Sequence, residues 1–188
     1  MSDPICVTLP DDAASLRLLE VGTEVLLSGR VFTARDATHL RLVAELAETG
    51  VLPYDLARET LFYAGPTPPA AGRPVGAIGP TTARRMDAWT PQLLAAGIVA
   101  TIGKGARDDS VRRACVAHGA VYLAAVGGAA ALLGTHVVAA ETVAYPELGT
   151  EALVRLELDR LPVWVAIDVR GHELYALARR SSAGEARP

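Results

Sequence analysis

Between Thr60 and Leu123 the chain alternates between strand-length apolar runs and segments with helical spacing, and this alternation narrows the fold most. Thr60 to Ala64 and Val75 to Ile78 read as strands, and Ile78 enters Gly79-Pro80-Thr81-Thr82. From Thr82 to Ala96 Met86, Trp89, Leu93 and Leu94 share a helical face, which Pro91 divides into two pieces. Ile98 to Ile102 is a buried-type strand running into Gly103-Lys104-Gly105; an amphipathic helix from Asp108 to Ala117, with Asp108 or Asp109 as its cap, precedes Val121-Tyr122-Leu123.

Strand pairs flank this middle. Ile5 to Leu9 and Glu24 to Phe32 stand at the start, with Gly29 signalling a bulge or a close approach. Leu153 to Leu158 and Val163 to Asp168 stand at the end, the latter joined to Glu173-Leu174-Tyr175 by a hairpin through Arg170-Gly171. A helix from Asp36 to Thr49 carries Leu40, Val43, Ala44 and Ala47 on one face and stops at Gly50. The expectation is one α/β domain over residues 1–180, with a mixed sheet or small barrel-like core, and a disordered tail over residues 181–188. The loop GPTPPAAGRP is too rich in Pro and Gly for either regular element.

A hydrophobic content of 51% suits a proper core, and a net charge of −3 gives no reason to expect nucleic acid or anionic membrane as partner. The start lacks a charged-then-apolar leader, and the longest apolar stretch, Ala120 to Gly134, is shorter than the roughly 18 residues of a membrane span, so a cytoplasmic address is expected. The two cysteines, Cys6 and Cys115, read better as buried thiols than as a disulfide. A cubane iron–sulfur cluster needs at least about three thiolates, so this chain alone is expected to bind no cluster and no metal.

Three segments combine glycine or a strand end with a hydroxyl or a cation. In the first, Arg35 stands where a strand gives way to a helix, with Asp36 next to it and His39 one turn further on. The plainer alternative is a surface arginine, a capping aspartate and a partly buried histidine. In the second, Thr81 near a helix start would share a face with Arg85, giving a hydroxyl and a guanidinium suited to a planar carboxylate. The alternative is a threonine cap with solvated arginines. In the third, Gly103-Lys104-Gly105 approaches a phosphate-loop pattern but places Gly105 where a Ser or Thr would meet magnesium, so a nucleotide-binding reading fails. What remains is Lys104 at a strand end, either pointing into a cleft or sitting in a simple turn. His118 and His172 lie in solvated contexts, and His136 has no evident partner.

These segments, in this order, resemble the β subunit or C-terminal domain of iron–sulfur class I fumarases and L(+)-tartrate dehydratases. The matching pieces are Gly29, Arg35-Asp36-x-x-His39, Tyr63-Ala64-Gly65-Pro66, Gly79-Pro80-Thr81-Thr82-x-x-Arg85-Met86-Asp87 and Gly103-Lys104-Gly105. Gly127-Gly128-Ala129-Ala130, Gly149-x-Glu151-Ala152, Leu161-Pro162 and Asp168-x-x-Gly171 complete the match, from about residue 5 to 178. The resemblance implies a swivelling β/β/α fold that closes over a cluster-bearing α subunit, in an α2β2 assembly. The [4Fe-4S] cluster would belong to that partner, where an iron free of cysteine acts as Lewis acid on the substrate.

The resemblance makes the position of Thr81 that of the catalytic base, working with Arg85. Arg35, Arg85 and Lys104 would bind carboxylates or stabilise developing charge, with Asp36 and His39 behind them. Arg84 stands where a small residue is more usual, which leaves open which of Arg84 and Arg85 faces substrate. The implied reaction is reversible hydration of a C4 dicarboxylate, fumarate/malate or tartrate/oxaloacetate. A stand-alone swivelling domain acting as a binding or regulatory module is the competing reading; it would share the fold without needing the cations.

Overall fold

The computed structural model describes residues 3–184, with side chains to residue 179. Its centre is a mixed sheet of seven strands in the order β1-β2-β3-β6-β7-β9-β8, where β2 also pairs with β9. The strands are β1 Ile5–Leu9, β2 Glu24–Thr33, β3 Thr60–Phe62, β6 Ala100–Gly103, β7 Val121–Ala124, β8 Val137–Ala144 and β9 Leu153–Ile167. The extra pairing closes β2, β3, β6, β7 and β9 into a five-stranded barrel. A separate ribbon, β4 Ala64–Pro66 with β5 Ile78–Pro80, stands at its rim.

Closure depends on two long strands that change neighbours along their length. One edge of β2 pairs with β1 from Val25 to Gly29 and then with β3 at Phe32 and Thr33, while the other follows β9. The register with β9 shifts between Leu27 and Gly29, where Gly29 takes φ +85°. A Cβ there would lie 3.0 Å from the Leu9 nitrogen, so the expected close approach is real and only glycine allows it. The two expected strands at 153–158 and 163–168 are one strand, β9, in which Pro162 faces Leu26 of β2.

Short parallel strands buried on both faces read as continuous apolar runs, because each alternate side chain has its own core. Phe62 and Ala64 point into the barrel with Ile102, Val121 and Leu123. Leu61 and Tyr63 point outward to a second core under the helices, with Met86, Leu93, Val111 and Tyr122. Burying each such leucine contributes about 2 kcal/mol.

The helices are α1 Asp36–Thr49, α2 Thr90–Ala95, α3 Asp109–His118, α4 Ala130–Gly134 and α5 Leu174–Gly184. Three expectations are corrected here. The buried face of α1 is Thr38, His39 and Leu42, not the stripe through Leu40, because the first two side chains are tied to neighbouring backbone; Gly50 ends it in the left-handed conformation, as expected. The segment after Thr82 is a 3₁₀ turn, Ala83–Met86, separated from α2, as Pro91 near the α2 start requires. The hairpin after β9 shrinks to a single bridge, Ile167 to Glu173, because Asp168 satisfies the turn's N–H groups and α5 begins at Leu174. The backbone of α5 continues to Gly184, and 185–188 of the expected tail lie outside the described residues. Among the described residues no helix is long and apolar enough to cross a membrane.

Candidate functional site

Strands β2, β3, β6 and β7 are mutually parallel, so their carboxyl ends open on one rim of the barrel. The three segments singled out in the sequence emerge there. Arg35 follows β2, Tyr63 follows β3, Lys104 follows β6, and Gly127-Gly128 follows β7. Ligands favour such rims in α/β folds because loops leave there while the strands hold their bases fixed.

Thr81 is seated by backbone alone. Its N–H donates to the Tyr63 carbonyl at 2.6 Å, and its carbonyl accepts the Lys104 N–H at 3.1 Å. The Lys104 carbonyl in turn accepts the Ala83 N–H at 2.9 Å, which locks the two segments side by side. Thr81 therefore precedes the 3₁₀ turn instead of starting a helix. Thr82 holds the cap position yet makes no side-chain cap bond, so neither threonine hydroxyl serves as a cap. The Thr81 hydroxyl and the Lys104 ammonium have no protein partner among the described residues. Gly103 is obligatory beside them, since a Cβ would lie 2.9 Å from that of Ala83.

Arg85 reaches back to α1. Its Nε donates to Asp36 Oδ1 at 3.0 Å and its Nη2 lies 2.8 Å from Oδ2. The side chain is 50% exposed, so much of the guanidinium stays accessible. Arg84 points elsewhere, to Asp108 at 2.9 Å, and is 71% exposed. Of the two arginines, Arg85 is the one joined to the Arg35-Asp36 corner.

Arg35 is half-enclosed, with Nη2 3.3 Å from Glu151 Oε1. It passes through a slot at Gly65, where a Cβ would lie 3.1 Å from Nη1 and 2.5 Å from the Thr150 carbonyl. His39 lies behind it, wholly buried, its Nδ1 2.8 Å from the Arg35 carbonyl and its ring edge-on to Tyr63. Burial pushes the imidazole down to about 4, helped by the Arg107 charge and opposed by the Arg35 carbonyl and Asp36. His39 is thus neutral at pH 7, and its Nδ1–H donates to the carbonyl.

Two participants escaped the sequence reading. Arg107 is fully enclosed: Nε donates to Asp87 Oδ1 at 2.6 Å, Nη2 to Thr90 Oγ1 at 2.8 Å and Nη1 to Thr101 Oγ1 at 3.3 Å. The guanidinium lies over the rings of Tyr63 and Tyr122, 5.2 and 4.8 Å from their centres. Tyr122 also donates to the Gly105 carbonyl at 2.8 Å, and the Gly105 N–H donates to the Tyr175 hydroxyl at 3.1 Å, so the Lys104 loop is fastened on both sides. Glu151 is the second. Its place in Gly-x-Glu-Ala was the only signal for it, whereas Arg107 gave none beyond following Lys104.

The chain's own donors do not fit an iron–sulfur cluster. Cys6 is exposed on β1, contrary to the buried pair expected, because that strand turns alternate residues outward. Cys115 is buried in α3, where burial pushes its thiol up to about 11. Both are free, and no three His, Cys, Asp or Glu side chains gather as a metal site among the described residues. His172 is paired with buried Asp168 at 2.9 Å, and His136 Nδ1 meets the Asp159 carbonyl at 2.8 Å.

The family model described as fumarase C-terminus matches residues 4–178. The chain is 38% identical over 165 residues to the anaerobic class I fumarate hydratase of Escherichia coli (strain K12), covering 86% of this chain and 30% of that one. It is 36% identical over 166 residues to the putative L(+)-tartrate dehydratase subunit beta of Methanocaldococcus jannaschii, covering 85% of each. It is 32% identical over 175 residues to the L(+)-tartrate dehydratase subunit beta of Escherichia coli (strain K12), covering 90% of this chain and 86% of that one. The chain thus spans about 30% of the length of the class I fumarate hydratase but most of each β subunit.

Proposed function

Because this chain belongs to the fumarase C-terminus family, we propose that it is the β-type part of a hydro-lyase that hydrates or dehydrates a C4 dicarboxylate. It works with a separate cluster-bearing α chain, two copies of each, and its substrate pair is fumarate/malate or tartrate/oxaloacetate. The [4Fe-4S] cluster of that partner supplies Lewis-acid chemistry when present. This chain's own residues bind the carboxylates and move the proton.

Removing a proton beside a carboxylate builds negative charge on that carboxylate, and fixed cations in a dry site stabilise it. Arg35 and Arg85 grip carboxylates with paired N–H donors. Thr81 takes the proton. A free threonine hydroxyl is far too weak a base, so its alkoxide must be stabilised by a cation that is not already neutralised. Arg35 faces Glu151 and Arg85 faces Asp36, whereas Lys104 has no counter-ion among the described residues. Lys104 therefore supports the charge, and Asp36 and His39 hold the arginine corner.

The observation that carries this reading is the unpartnered hydroxyl of Thr81 locked by backbone against the unpaired Lys104. The test uses the pair assembled anaerobically. Thr81→Ala should lower kcat by roughly 10²–10⁴-fold and leave the melting temperature unchanged, while Thr81→Ser keeps much more activity. Normal turnover in Thr81→Ala would leave the base unassigned. A wild-type pair inert toward every dicarboxylate would favour a binding module instead.

A further inference from the structure

Glu151 approaches Arg35 from the segment that precedes β9. Its Oε2 accepts the Ala37 N–H at 2.8 Å, at the start of α1, while its Oε1 faces Arg35 Nη2 at 3.3 Å. Its backbone carbonyl accepts the Thr38 hydroxyl. One residue later, the Ala152 carbonyl accepts the Thr33 hydroxyl at 3.2 Å, and Thr33 Oγ1 accepts the Val154 N–H at 3.1 Å, so the segment is pinned to β2. The carboxylate therefore stands on a fixed base.

A helix cap needs only one of these contacts. Arg35 holds the cap position of α1 without making a side-chain cap bond, and Glu151 supplies the acceptor from elsewhere in the chain. The second carboxylate oxygen, on Arg35, adds nothing to the cap. It holds a guanidinium that also lies against Gly65. Arg35 Nε is itself buried with no hydrogen-bond partner among the described residues, while the side chain as a whole stays 24% exposed, which leaves surface for an incoming carboxylate.

We propose that Glu151 is a positioning residue for substrate binding: its carboxylate fixes the Arg35 guanidinium against Gly65 so that the remaining donors are set to receive a substrate carboxylate. The inference rests on the proposed function, in which Arg35 grips substrate. It makes Glu151 act on affinity, through Arg35, and leaves proton transfer at Thr81 untouched.

Glu151→Gln separates the two roles. The amide oxygen still accepts the Ala37 N–H, but the amide N–H groups face the Arg35 donors and push the guanidinium away. In the assembled enzyme, KM for the dicarboxylate should rise about tenfold while kcat stays within about threefold. Placed on an Arg35→Met background, the same change should alter KM by less than about twofold, because the residue it acts through is gone. Thr38→Val is the structural control: it removes a contact to the same segment without touching Arg35, and should lower the melting temperature while KM stays within about twofold. The proposal is overturned if Glu151→Gln leaves KM unchanged, if KM rises equally on both backgrounds, or if Thr38→Val raises KM as much. A wild-type pair active on dicarboxylates with any of these results removes Glu151 alone; an inactive wild type removes the proposed function as well.

Discussion

Arg107 and Arg85 hold the same functional group in opposite ways. Arg107 is sealed in against two tyrosine rings, with Asp87 and two threonine hydroxyls each accepting from one of its three nitrogens. Arg85 has one side-chain partner among the described residues, Asp36, and half its side chain lies open at the rim. An enclosed guanidinium with every nitrogen hydrogen-bonded is out of a ligand's reach, and its removal strands a buried carboxylate. One with donors to spare costs the fold little and is available for recognition. The difference separates the bracket that fixes the rim from the groups that use it.

The sharpest way to break this contrast is at the sealed end. Arg107→Met should cost about 3–5 kcal/mol of stability in urea unfolding, since Asp87 is left buried and unpaired. Adding Asp87→Asn should recover part of the loss. A cost below about 1 kcal/mol would mean that the bracket is not what fixes the rim.

At the open end, Arg35→Lys and Arg85→Lys should each lose roughly 2–4 kcal/mol of transition-state stabilisation in kcat/KM, because lysine cannot reproduce the planar two-bond grip. Their melting temperatures should barely move. Arg84→Lys should change neither quantity, as its exposed pair with Asp108 contributes little. Equal losses at 84 and 85 would dissolve the assignment of Arg85 to the site.

His39 sits between the two regions and gives the smallest effect, spread over a pH window. Its folded value near 4 lies below the ordinary 6.5, so the unfolded chain binds a proton that the native one refuses. The stability this represents is present at pH 7 and lost as pH falls from about 6.5 to 4, by at most about 3 kcal/mol. Asp168 does not confuse the reading. Burial alone would raise its carboxyl, but hydrogen bonds from His172 and nearby backbone N–H groups outweigh that and hold it low, so its loss falls at more acidic pH. His39→Gln should flatten the slope in that window; parallel curves for the two proteins would mean the imidazole is not buried neutral.

The α/β alternation and the barrel-like core were legible because short apolar runs ending in glycine report parallel strands directly. Arg35, Thr81 and Lys104 could be found because each follows a strand end, and Arg85 because it stands one turn after Thr81; backbone bonds join Thr81 to Lys104, and Asp36 joins Arg85 to the Arg35 corner. Strand β8 was missed: Val-Val-Ala-Ala-Glu-Thr-Val-Ala is mostly exposed along its length and shows no inward-outward alternation to read. The hairpin at Gly171 misled because its turn residues serve Asp168 and a helix start instead. Arg107 was invisible because its partners Asp87, Thr90 and Thr101 lie on three different elements, and only folding brings them together.

The closure of the barrel by β2 against β9 also has a consequence in time. One edge of β2 finds β1 and β3 early, but its other edge cannot find its partners until residues 154–164 exist, so every strand before β9 leaves the ribosome before the ring can shut. Contacts so distant in sequence form late and slowly. The Arg35 corner, which needs Glu151, and the base of β2, which needs β9, are therefore completed together, once β9 has emerged. A nascent chain stalled after β7 would contain Thr81 and Lys104 but lack both Glu151 and β9, and so would have no finished pocket for a carboxylate.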